Sequence, residues 1–186
     1  MSLRNTQWVL AARPQGPVKV SDFRLIETPL RPLEEGEFRI ETLYLGVAAV
    51  MRNYMLNLER FERPLEIGDV MHGRGVGRIV ESRNPAWRVG EIVQGKLGWQ
   101  RYAIADGSTY FLMFKVRQRV APVSTALGVL GLTGFTSYLG LVDIGAVVVL
   151  GVGDGRLQNL LDDASSFFLR EGQDVQSLIH FFPADQ

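Results

Sequence analysis

The chain has 186 residues, no cysteine, and 20 basic against 20 acidic side chains. Those numbers exclude disulfides, thiolate zinc sites and a cysteine nucleophile, and a balanced charge leaves no basic footprint for nucleic acid. Hydrophobic residues make up 46% and charged residues 22%, ordinary for a globular chain long enough to bury a core without staples. The opening Met-Ser-Leu-Arg-Asn-Thr has no apolar signal core. The apolar run 146–150 is far short of the ~20 residues that span a bilayer. A soluble, cytoplasmic protein with neither a membrane nor a nucleic-acid partner is expected.

In chain order, the first 120 residues predict short strands at 7–12, 23–28, 38–45, 75–82, 91–94, 99–104 and 110–115, punctuated by glycine, proline and charged turns. Pro14, Gly16 and Pro17 break the first pair; Pro29 and Pro32 break the second. Within 38–45, Phe38, Ile40, Thr42 and Tyr44 alternate with Arg39, Glu41, Leu43 and Leu45. That strand is half-buried at its start and apolar on both faces at its end. Many short strands with frequent turns favour a barrel or sandwich.

The character changes at Val120. Pro122 suits a first helical turn, and Phe135, Tyr138, Leu139 and Val142 predict a helix over 133–142. A buried strand is expected at 146–150. Asp154 is a plausible N-cap, followed by an apolar helical stripe of Leu157, Leu160, Leu161, Ala164, Phe167 and Phe168. Gly172 stands where a left-handed cap would end that helix, and 178–182 predicts a last apolar strand.

Several stretches carry a family resemblance: Gln7-Trp-Val-Leu-Ala, Asp22-Phe-Arg-Leu-Ile-Glu-Thr-Pro, Glu35-Gly-Glu-Phe, Thr42-Leu-Tyr-Leu, Met51-Arg, Gly73-Arg-Gly-Val-Gly-Arg-Ile-Val-Glu-Ser and Gly98-Trp-Gln-Arg-Tyr-Ala. The last is Leu127-Gly-Val-Leu-Gly-Leu-Thr-Gly-Phe-Thr-Ser-Tyr-Leu-Gly-Leu. In their order and spacing, over residues 7–145, they resemble the medium-chain dehydrogenase/reductase superfamily. The likeness is to its zinc-independent branch of alkenal/one reductases, leukotriene dehydrogenases and prostaglandin reductases. The resemblance implies a GroES-like, partly open β-barrel followed by a Rossmann domain that binds NADP(H). It implies metal-free hydride transfer to the β-carbon of a small enone or enal, then protonation of the enolate. With no cysteine and only His72 and His180, no zinc is expected.

The chain also departs from that pattern. The family carries Asp-Pro-Tyr before Met-Arg, with the tyrosine lining the substrate pocket; here the positions read Ala48-Ala49-Val50-Met51-Arg52. Tyr54 replaces that hydroxyl if the loop shifts; otherwise it is a partly buried loop tyrosine. The resemblance places Met51, Tyr54, Leu97 and Trp99 at the enone pocket, and Thr136 and Tyr138 beside the cofactor's ribose and phosphates. For Leu97 and Trp99 the alternative is a hairpin turn with a core tryptophan. His72 reads as a loop donor beside the cleft or as a structural histidine, and His180 as a satisfied strand histidine. No residue is assigned a catalytic step.

The glycine turn at 151–155 is the other cofactor candidate, through Gly151 and Gly153. Its spacing is wrong: the dinucleotide fingerprint needs a third glycine at 156, where Arg156 stands, and Gly155 comes one residue early. Only 41 residues, 146–186, follow the last matching stretch, and one strand and one helix cannot make a dinucleotide crevice. The expected organisation is a GroES-like substrate domain at 1–145 and a short bridge at 146–155 in place of the Rossmann domain. A helix and strand at 156–186 would return to close the barrel of 7–120. Two functions stay open: a reductase, impaired as this chain alone, or a non-catalytic remnant or interaction module that binds no dinucleotide. A homo-oligomer is compatible with either.

Overall fold

The computed structural model describes residues 4–56, 64–116 and 121–144. It divides into two units, Met1–Gly128 and Val129–Gln186. The expected bridge and closing tail, with Gly151, Gly153 and His180, lie outside the described residues.

In the first unit, β1 (Arg4–Leu10) and β2 (Phe23–Pro29) form an antiparallel ribbon. The ribbon turns through Gly16 at φ 88° and a 3₁₀ turn at Val20–Asp22. Five strands make the main sheet: β3 (Phe38–Leu45), β4 (Arg74–Ser82), β5 (Ile92–Lys96), β6 (Tyr102–Ala105) and β7 (Phe114–Lys115), in the order β6-β3-β4-β5-β7. All the pairings are antiparallel.

Backbone hydrogen bonds bend the ribbon onto the sheet. Trp8 N–H donates to Trp99 O at 2.9 Å and Arg101 N–H to Thr6 O at 2.9 Å, while Thr42 N–H donates to Arg101 O at 2.8 Å. On the same ribbon Leu10 N–H reaches Asp69 O and Met71 N–H reaches Trp8 O, each at 2.9 Å. The result is the expected mainly β, GroES-like, partly open barrel. Among the described residues no ladder joins β2 to β7.

Side chains reinforce the ribbon–sheet seam. Asn5, buried, donates to Tyr102 O at 2.7 Å and accepts from Tyr102 N–H at 2.8 Å. Gln100 Oε1 accepts from both Asn5 and Gln7, and Gln100 Nε2 donates to Leu97 O. Replacing Asn5 with leucine strips two partners from a buried peptide group. A loss of about 2–4 kcal/mol is expected, read as a lower urea midpoint; an unchanged midpoint would contradict the role given to this seam.

The core follows the strand alternation. Phe38, Ile40, Ile79, Val93, Leu97, Ala103 and Ala105 form one cluster, with Trp87 stacked on Phe38 at 5.0 Å. On β3, Arg39 points the other way. Its guanidinium bonds Glu81 and donates to Arg31 O at 2.6 Å. Val76, Ile92 and Ala126 make a second cluster with Val123 and Leu127, which lie on a 3₁₀ turn at Val123–Leu127. Pro122 opens that turn, accepting from Thr125 N–H at 2.9 Å.

Three expectations change. Residues 110–115 are not one strand: a 3₁₀ turn occupies Thr109–Phe111 and Leu112 adopts φ 44°, so only Phe114–Lys115 pairs. Residues 99–101 bridge the two sheets and do not start β6, which begins at Tyr102. The expected loop at 51–55 is a helix, α1 (Met51–Met55).

The second unit contributes α2 (Leu132–Tyr138), continuing into a π-helical turn at Leu139–Ile144. This agrees with the helical spacing read at 133–142. Gly134 is required there, because a Cβ would stand 1.9 Å from Val129 O. Among the described residues no helix is long and apolar enough to cross a membrane.

One acidic group reports on the first unit's integrity. Both Arg31 guanidinium nitrogens reach Glu37, at 2.7 and 2.6 Å. That fork, helped by the Glu34 backbone N–H, outweighs burial and lowers the Glu37 pKa from 4.5 to about 2. A lowered carboxylate pKa contributes stability that is complete above the unfolded value and is lost as pH falls through the folded one. The thermal midpoint of the native chain should therefore exceed that of Glu37→Gln above pH 4.5, with the gap closing toward pH 2. A gap independent of pH would contradict this.

Candidate functional site

Three of the four sequence-derived pocket residues, Met51, Tyr54 and Trp99, meet at the loop 71–73. Helix α1 has five residues and no side-chain N-cap, too few to be stable alone. It is held by what it buries and by arginines. Met51 and Met55 are buried. Arg13 donates to Met55 O at 3.1 Å, and Arg52 donates to Gly16 O at 3.0 Å. Helix α1 thus presents Met55 and Tyr54 to one cluster, formed by Leu10, Met55, Leu65 and Met71 with Phe23, Tyr54 and Trp99 packed against it.

The 71–73 backbone is fixed from the opposite side. Trp99 N–H donates to Met71 O at 2.9 Å and Gly98 N–H to Gly73 O at 3.0 Å. Gly98 adopts φ 70°, which turns the chain after β5 so that Trp99 faces this loop. The Trp99 ring stacks on Phe23 at 5.6 Å and 22°. Its Cδ1 and Nε1 lie 2.7 Å from where a Gly73 Cβ would stand, and the Met51 methyl lies 3.3 Å from the same point. Tyr54 meets His72 edge-on at 5.5 Å and 81°.

Met51, Tyr54, His72, Gly73 and Trp99 are therefore neighbours, as Met51, Tyr54 and Trp99 were expected to be. Leu97 is placed differently. Its side chain is 1% exposed and belongs to the sheet core with Phe38 and Ile40, touching the site only through the turn it shares with Trp99. Gly73 and Phe23 were not among the expected site residues. Gly73 carried a signal in the glycine-rich run that opens β4. Phe23 carried none, since its partner is remote in sequence.

The cluster has the chemistry of a wall for a flat, conjugated ligand: aromatic faces, flexible thioethers and a few polar atoms. The Trp99 indole N–H is buried without a hydrogen-bond partner among the described residues. Among the described residues no three histidine or acidic side chains group as metal ligands.

The cofactor-side residues belong to the second unit. Thr136 is exposed, and its hydroxyl donates to Leu132 O at 2.8 Å within α2. Tyr138 is half-buried. The described residues of this unit assemble no donor cradle for a pyrophosphate.

Comparison with known proteins agrees with this architecture. Residues 6–113 match the family described as the N-terminal domain of oxidoreductase. The NADPH-dependent curcumin reductase of Escherichia coli (strain K12) is 41% identical over 142 residues, 76% of this chain and 40% of that protein. Prostaglandin reductase 1 of Oryctolagus cuniculus is 39% identical over 142 residues, 76% of this chain and 39% of that protein. Among solved structures, CurA from Vibrio vulnificus in complex with NADPH superposes with a TM-score of 0.69 at 35% identity, covering 78% of this chain and 42% of that one. The chain thus spans about 40% of the length of the curated relatives it matches. The shared strands, the glycine-rich β4 and the turn carrying Trp99 all fall inside the matched region, and the chain belongs to the NADP-dependent branch of the medium-chain dehydrogenase/reductase family, whose N-terminal oxidoreductase domain it carries.

Proposed function

We propose that this chain carries the substrate side of an NADP(H)-dependent reductase acting on the C=C bond of small α,β-unsaturated carbonyl compounds. The observation that carries the reading is the approach of Met51 and Trp99 to Gly73, next to the edge contact of Tyr54 with His72. It occurs in a domain matching NADPH-dependent reductases at about 40% identity. A nicotinamide dinucleotide, when bound, supplies the hydride for such a reduction. The described residues do not assemble its cradle, so their part is confined to the substrate: a flat apolar slot and a buried N–H donor. On the same reading, the chain alone holds NADPH weakly and is impaired as a reductase.

The substrate assignment is tested by ligand-observed saturation-transfer NMR on the 186-residue chain with benzylideneacetone, an aryl enone. Transfer to its phenyl and vinyl protons is expected, with weaker transfer to benzylacetone, its saturated and non-planar counterpart. Absence of transfer to either compound would contradict the reading.

A further inference from the structure

The geometry points to the indole N–H of Trp99 as the hydrogen-bond donor for a ligand carbonyl oxygen, which makes Trp99 a binding residue as well as a wall. This rests on the substrate reading above.

Three buried side-chain polar atoms have no partner among the described residues: Arg39 Nε, Thr42 Oγ1 and Trp99 Nε1. They are not equivalent. The Arg39 guanidinium is already bonded through its other nitrogens to Glu81 and Arg31 O, and Thr42 is a β3 residue away from the Trp99 cluster. The indole N–H is the whole polar capacity of a tryptophan. Native folds carry few such unmatched groups, and each asks for a cause such as a ligand or water.

Packing supplies the cause here. Stacking on Phe23 fixes the plane of the ring, and the bond from Trp99 N–H to Met71 O fixes its backbone. The Cδ1–Nε1 edge is thereby turned to Gly73, where any side chain would collide with it. The Met51 methyl approaches the same point, 3.3 Å from the Gly73 Cβ position. A thioether arm changes rotamer readily, so Met51 can swing aside without backbone movement. A planar enone entering past it would rest near the Tyr54–His72 edge contact with its oxygen on Nε1. The unmatched donor is then matched only when the ligand is bound.

The test follows the tryptophan indole peaks in a proton–nitrogen correlation spectrum of the full chain, which has 3 tryptophans. Trp99→Phe assigns the Trp99 peak; should that variant fail to fold, Trp8→Phe and Trp87→Phe assign it by elimination. Benzylideneacetone is expected to move the Trp99 indole proton downfield, while β-methylstyrene, which lacks the carbonyl, leaves it in place. Trp99→Phe is expected to weaken enone binding roughly three- to ten-fold. Its thermal midpoint should be unchanged or higher, because an aromatic face is kept and an unmatched donor is removed. Saturation transfer to the enone with a stationary Trp99 peak would overturn the role of Trp99 and leave the substrate reading intact. No transfer and no shift would overturn both.

Discussion

Replacing Gly77 with alanine is expected to cost about 3 kcal/mol or more, the upper range of overpacking effects, and to lower the thermal midpoint by about 6–12 °C. Gly77 pairs with Thr42 across the β3–β4 ladder, next to a register irregularity between Thr42 and Tyr44. A Cβ there would stand 2.4 Å from Ile40 Cγ2 and 2.6 Å from Glu41 O. Neither neighbour can yield cheaply: Ile40 is fully buried, and the Glu41 carbonyl is main chain at the centre of the sheet. The added methyl must therefore spread β3 from β4, the ladder that also positions the loop leading to Trp99. Gly140→Ala is the control, since nothing among the described residues lies within 4 Å of its Cβ position; its midpoint should stay within a degree or two of the native value. Differential scanning calorimetry of both variants decides the matter, and a Gly77→Ala midpoint equal to the native one would contradict the packing described.

The same ladder shows what sequence made legible. Alternation of Phe38 and Ile40 with Arg39 and Glu41 predicted β3 with the bounds found but not its burial: Phe38, Arg39 and Ile40 are all buried, and the apolar end, Leu43, Tyr44 and Leu45, is exposed. Period said nothing about α1. Five residues complete little more than one turn, and α1 is held by Arg13, Arg52 and two buried methionines, contacts made far along the chain. Residues 99–101 form no strand of their own: Trp99 and Arg101 lie in bends, and the three residues bond to β1 and β3 in a bridge that no local pattern reveals.

The site was legible in part. Met51, Tyr54 and Trp99 were named by family likeness and stand together. Leu97, named on the same grounds, is packed into the sheet core, because the turn at Gly98, φ 70°, breaks the strand alternation and sends Leu97 and Trp99 to different clusters. The unmatched state of the Trp99 N–H could not be read from sequence at all. It depends on a glycine 26 positions earlier and on a stack with Phe23, both products of the three-dimensional closure.

The second large effect concerns the cofactor. A dinucleotide is held by main-chain N–H groups at a helix N-terminus and by a crevice between strands. Among the described residues the first unit offers no such helix, its α1 having five residues, and in the second unit α2 has its Thr136 hydroxyl bonded to its own backbone. The glycine turn at 151–155 has the wrong spacing for a dinucleotide fingerprint. A micromolar complex corresponds to about 8 kcal/mol and a millimolar one to about 4. Without the pyrophosphate and adenosine contacts, the 186-residue polypeptide is expected in the second regime or weaker.

The expectation that this chain alone holds NADPH only weakly is tested most directly by calorimetric titration of the purified 186-residue chain with NADPH. Heats that do not saturate below about millimolar NADPH are the predicted result; saturable binding in the low micromolar range would contradict it.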